Sequence, residues 1–173
     1  MTVAFDGLWS VAYSQAYVVS DDEPPDPVRA FVGQVNGLCG AGVPGALFLV
    51  TGRNTGKVGF RAEVVDGPPP LDPQWGEIVE VSFTALSDDV SLMDWHEGMS
   101  SLPLRESVAY RVRYCARGMD AGKTYLGEPE TAEPLDHYLL VFWPAPGEAD
   151  RIVRRTSRIA AYWHDEGFVQ PSS

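Results

Sequence analysis

Period-two alternation is the feature that most constrains this chain. From Ser107 to Arg117, Val108, Tyr110, Val112, Tyr114 and Ala116 fall on one side, and Arg111, Arg113 and Arg117 on the other. Successive strand side chains point to opposite faces, so this pattern specifies a half-buried strand and excludes a helix. Lys57 to Val65 repeats it, with Val58, Phe60, Ala62 and Val64 against Lys57, Arg61 and Glu63. Glu77 to Ala85 places Val79, Val81 and Phe83 inward. Leu8 to Val19 sets Trp9, Val11, Tyr13, Tyr17 and Val19 on one bulky face, and its β-branched and aromatic content reads as one further strand.

Continuous apolar runs add buried strands at Ala46–Thr51 and His137–Trp143, and Val90–Trp95 adds a short one. Leu102-Pro103-Leu104 fits only an edge, because proline cannot donate to a ladder. Asn54 and Gly56 supply turn chemistry between Ala46–Thr51 and Lys57–Val65, which predicts a hairpin. Ser20–Pro27, the five-glycine run Gly33–Gly45 and the acidic stretch Gly118–Asp136 read as loops, the last as a mobile one. Pro68-Pro69-Pro70 and Pro73 make an extended connector.

After Pro144 and Pro146 the period changes. Within Asp150–Asp165, Ile152, Thr156, Ile159, Ala160 and Trp163 share one helical stripe, and Arg151, Arg154, Arg155 and Arg158 the opposite arc. The expected fold is mainly β: an antiparallel β-sandwich of seven or eight strands with one C-terminal α-helix. It forms a single domain over residues 1–173, with the sandwich body in 1–146 and the helix in 147–167. The stripe docks on the body through Ile152, Ile159 and Trp163; packing on a second copy, as a homodimer, is the alternative.

Charge is divided unevenly. Residues 1–146 hold 9 Lys/Arg against 20 Asp/Glu, and the whole 173-residue chain carries a net charge of −11. Phosphate contacts need clustered positive charge, so direct nucleic-acid binding is not expected. An acidic field suits a basic protein partner, whose approach it accelerates. Met1–Asp6 lacks a signal peptide's basic start and apolar run, and no stretch nears the roughly 20 apolar residues that span a bilayer. A cytoplasmic protein with no membrane contact is expected. Cys39 and Cys115 lack metal-ligand spacing and are expected as free thiols.

No residue set demands a reaction. Asp94-Trp95-His96-Glu97 alone puts a histidine beside acids, and a site there would need more ligands from elsewhere. His137 and His164 read as structural, the latter as a cation at a helix C-terminus. The Gly33–Gly45 run lacks a GK[ST] ending, and Gly122-Lys123-Thr124 lacks the upstream glycine of a phosphate loop. No serine sits in a GxSxG setting. Cys115 shares the arginine face, but a packed, inert thiol is the plainer reading. Neither a catalytic residue, a metal nor a cofactor is assigned.

Three segments resemble the competence-J family: Leu8–Val18 its opening aromatic-x-Gln strand, Ala46–Phe60 with Arg53-Asn54-Thr55 its central hairpin region, and Tyr110–Cys115 its late strand. The resemblance covers about half the chain, and the glycine-rich run, the Gly118–Asp136 loop and the C-terminal helix depart from it. It implies a small, mainly β, cytosolic inhibitor of a DNA-uptake nuclease. With the acidity, it points to a protein-binding module, an inhibitor or immunity-type partner of a nuclease or toxin. The expected interface is Asp21, Asp22, Glu23, Asp88 and Asp89, with Trp95 as an aromatic anchor. The alternative is a small-molecule-binding or enzymatic β-sandwich with a pocket under Gly33–Gly45, where glycines allow close approach to a ligand.

Overall fold

The computed structural model describes residues 1–21, 23–96, 98–124 and 133–168. Among them are eleven strands in two sheets and three short helices. In the six-stranded sheet the order is β1 (Thr2–Val11), β5 (Gly56–Val64), β10 (His137–Pro144), β9 (Ala109–Arg117), β6 (Glu77–Thr84) and β11 (Arg151–Arg154). The five-stranded sheet runs β3 (Cys39–Gly40), β4 (Ala46–Val50), β2 (Gln15–Val19), β7 (Val90–Met93) and β8 (Met99–Leu102). The helices are α1 (Pro27–Ala30), α2 (Met119–Thr124) and α3 (Arg158–Asp165).

The two sheets share one hydrophobic cluster. The alternating side chains Val58, Phe60, Val79, Val81, Tyr110, Val112, Tyr114, Leu140 and Phe142 meet Tyr17, Val19, Leu47, Leu49 and Leu92 in it. All five residues of β4 are buried. Such a strand is covered on both sides, which is why it reads as a continuous apolar run. Tyr114 crosses between the sheets, its hydroxyl donating to the Val50 carbonyl at 2.9 Å.

A mainly β chain in two sheets was legible; several details differ. The Leu8–Val19 segment is two strands in different sheets, because Tyr13 and Ser14 turn the chain with φ of 55° and 60°. β4 and β5 do not form a hairpin, since the Asn54 turn carries the chain from one sheet to the other. β5 instead pairs antiparallel with β1 and parallel with β10, so the six-stranded sheet is not wholly antiparallel. The Gly118–Asp136 loop begins with α2, and 125–132 lie outside the described residues.

The largest correction concerns the C-terminal segment. Only Arg158–Asp165 is helical; Arg151–Arg154 is an edge strand on β6, with Arg151 opposite Glu80. Glu77 fixes the joint between them, its buried carboxylate accepting the backbone N–H groups of Thr156 and Ser157 at 2.5 and 3.0 Å. α3 is then capped by Ser157 and by Asp120 of α2, which accepts from the Arg158 and Ile159 backbone. The expected docking residues Ile152, Ile159 and Trp163 do pack on the main cluster within this one chain.

Candidate protein-binding surface

The outer face of the six-stranded sheet carries charge, but that charge is consumed internally. Glu80, 2% exposed, receives Nε of Arg113 at 2.9 Å and both Nε and a terminal nitrogen of Arg151 at 2.9 and 2.6 Å. Burial pushes its carboxyl up, yet these guanidinium bonds outweigh burial and hold it below its ordinary value. Arg111 reaches the carbonyls of Glu148 and Ala149, Arg113 that of Pro69, and Arg154 those of Asp72 and Trp75. These arginines thus tie two irregular connectors, 65–76 and 145–150, onto the sheet by satisfying their backbone oxygens. Arg113 and Arg117 also lie over the rings of Trp143 and Trp75, each at 5.4 Å.

Under the first connector Trp75, Ile78 and Cys115 form a satellite cluster beside a cleft of about 290 Å³. Cys115 is buried and free, as is Cys39. Burial drives the Cys115 thiol up to about 12 despite Arg113, so it is not a thiolate at neutral pH.

The centre of the glycine-rich run lies against α3. A Cβ on Gly37 would lie 1.9 Å from the Trp163 carbonyl oxygen, so glycine here is what lets α3 sit against the run. Gly37 donates its backbone N–H to Nδ1 of His164 at 2.9 Å, and Asp150 takes the Val35 and Asn36 backbone at 2.9 and 2.8 Å. Phe31, Phe48 and Phe168 fill the space alongside, with Trp163 stacked on Phe168 at 5.3 Å. His164 is therefore no exposed helix-end cation: burial above all, with help from Arg155, lowers its pKa to about 4. The groove at the run's far end, about 230 Å³, is lined by Val43, Pro44, Phe83 and Leu86 with no titratable side chain.

The predicted contact residues divide. Asp21, Glu23, Asp88 and Asp89 are exposed and lie at one end of the five-stranded sheet. Two bonds join their loops there: Ser87 Oγ donates to the Ser20 carbonyl at 2.6 Å, and the Leu86 N–H donates to Ser20 Oγ at 3.1 Å. None of the four has an ion-pair partner among the described residues. Asp22 lies outside the described residues.

Trp95 lies beyond the other end of β7, up to about 20 Å from Asp89 at roughly 3.3 Å per residue. It is 45% exposed and its ring centroid is 4.8 Å from that of Tyr13, itself 61% exposed. The alternation placed Tyr13 on the bulky face of one strand; its left-handed turn contains no glycine, asparagine or aspartate, so nothing in the pattern marked a turn there. His96 is exposed, and Asp94 serves its own turn by accepting the His96 and Gly98 backbone at 2.8 Å each. Glu97 is outside the described residues. Among the described residues no group of three or more His, Cys, Asp or Glu could hold a metal ion, and no helix is long and apolar enough to cross a membrane.

No family model and no curated protein matches the sequence. Solved structures do match the fold. It is similar to that of ComJ. The crystal structure of ComJ from Bacillus subtilis, an inhibitor of the DNA degrading activity of NucA, superposes with a TM-score of 0.57 at 16% identity, over 83% of this chain and 98% of that one. A protein described as Crocagin biosynthetic gene J gives 0.53 at 14% identity, over 84% of this chain and 98% of its own. The competence-J resemblance seen in three sequence segments is thus met by a fold likeness to ComJ along nearly the whole of its length.

Proposed function

We propose that this chain is an acidic cytosolic protein-binding module, an inhibitor or immunity-type partner of a nuclease or toxin, folded as one β-sandwich domain over residues 1–173. The observation that carries this reading is the acid end. Asp21, Glu23, Asp88 and Asp89 come from two loops, are exposed and make no ion pair among the described residues, in a protein whose net charge is −11. The fold likeness to ComJ supports the nuclease as partner class by analogy of fold. Such a surface steers a basic partner and would repel nucleic acid and anionic membranes.

The test is a DNA-degradation assay with NucA and with nucleases of the source cell, each at low and high salt. We expect inhibition of at least one nuclease that weakens as salt rises. Inhibition of none at either salt would contradict the reading.

A second reading, a small-molecule site, is favoured by the cleft under residues 69–75 rather than by the glycine-rich run. Its floor of Ile78, Cys115, Leu139 and Val141 is apolar, and Arg61, Arg113 and Asp72 stand at its rim. Its arginines are already engaged by Glu63, Glu80 and the Pro69 carbonyl, which leaves the cleft second to the acid end.

A further inference from the structure

Tyr13 and Trp95 are large aromatic side chains left in solvent by a fold that buries most of its others. Each is displayed from a tied-down turn. The Tyr13 turn is fixed by Ser14 N–H to the Asn54 carbonyl at 2.9 Å and Thr51 N–H to the Ser14 carbonyl at 3.0 Å. The Trp95 turn is closed by the Asp94 N–H to the Gly98 carbonyl at 2.9 Å and by the two bonds to Asp94 Oδ1. Tyr13 sits at φ 55°, a left-handed conformation that disfavours a bulky residue and that glycine would adopt without strain. The fold therefore retains, at a cost in both strain and exposure, a tyrosine that contributes little to its own core. Strain concentrated on an exposed aromatic is a mark of function.

We propose that Tyr13, Trp95 and the adjacent Asp94 form a receptor for an arginine side chain of the partner protein. This rests on the reading of the chain as a binding module for a basic protein. The two exposed rings lie 4.8 Å apart and tilted by 58°, a pair whose π-systems would attract a cation, and Asp94 Oδ2, on the residue next to Trp95, makes no hydrogen bond among the described residues and leaves an acceptor in the same turn. A guanidinium uses both at once, since it stacks flat on a ring while its edge donates to a carboxylate. Lysine, a compact and strongly hydrated charge, uses them less well. The acid end then attracts the partner and the aromatic tip holds it, which divides association from residence.

The test uses the whole chain and a tetra-arginine peptide, with the Trp95 indole N–H followed by NMR and assigned through Trp95→Phe. We expect that signal to shift saturably, with tetra-lysine binding more weakly. Tyr13→Ala should weaken the arginine peptide about five-fold, in line with a cation–π contact. Tyr13→Gly should do the same while melting at or above the unaltered protein, because it relieves the left-handed strain. An unmoved Trp95 signal, or unchanged affinity in Tyr13→Ala, would overturn the receptor. Inhibition of NucA separates the two claims. A tip that binds peptide in a chain that inhibits no nuclease sinks the nuclease reading alone. Inhibition that survives Tyr13→Ala and Trp95→Ala undiminished sinks the receptor alone.

Discussion

The outer face of the six-stranded sheet and the acid end of the five-stranded sheet are both rich in charge, yet they use it in opposite ways. On the first, Glu80, Arg111, Arg113 and Arg151 are locked to one another and to connector carbonyls, and three of the four are buried. At the second, Asp21, Glu23, Asp88 and Asp89 stand in solvent without ion pairs among the described residues. Charge that is paired and dry serves the fold; charge that is unpaired and wet is available to a partner. The Glu80 network is of the first kind and the four acids of the second.

The sharpest way to break this contrast is at Glu80. Glu80→Ala leaves the buried Arg111 and Arg113 without their counter-charge and should cost about 3–5 kcal/mol in urea unfolding. A loss under 1 kcal/mol would mean that the outer-face network is as dispensable as a surface one. Trp163→Ala removes a partly buried ring that stacks on Phe168, and should cost about 3 kcal/mol by the large-to-small penalty. An unchanged unfolding midpoint would show that α3 is a detachable arm.

A third prediction concerns pH. His164 has its pKa lowered to about 4 by burial, so the unfolded chain takes up the proton more readily than the folded one. Its contribution is therefore fully present above about pH 6.5 and is lost as pH falls towards 4, by about 3 kcal/mol. His164→Asn keeps an acceptor for the Gly37 N–H without the titration. The difference in stability between the two proteins should change across that window and be flat above it. A constant difference would place His164 in water rather than in the core.

These same residues show what could be read in advance. Alternation fixed β5, β6 and β9 because each has one dry face in the core, and a wholly buried run fixed β4. The C-terminal segment misled because Arg151, Arg154, Arg155 and Arg158 fit a helical arc as well as a strand followed by a helix. What decides is Glu80, 71 positions away, which draws Arg151 into register on β6. The parallel pairing of β5 with β10 is equally non-local. Of the candidate surface, the acids were legible as loop residues, but not that Ser20 and Ser87 join their loops while Trp95 falls at the far end. Tyr13 was beyond reach for a local reason: its turn has no glycine, asparagine or aspartate to announce it.

The smallest expected effect on stability is at the acid end, and it carries the most weight. Asp88→Asn with Asp89→Asn should leave the unfolding free energy within about 0.5 kcal/mol, as for exposed substitutions generally. The decisive measurement is the association rate of this double variant and of the unaltered chain with the nuclease found in the inhibition assay, across a salt series. The account predicts a rate that falls with salt for the unaltered chain, a slower and less salt-dependent rate for the variant, and dissociation rates that differ little. Equal association rates and equal salt slopes for the two proteins would contradict it.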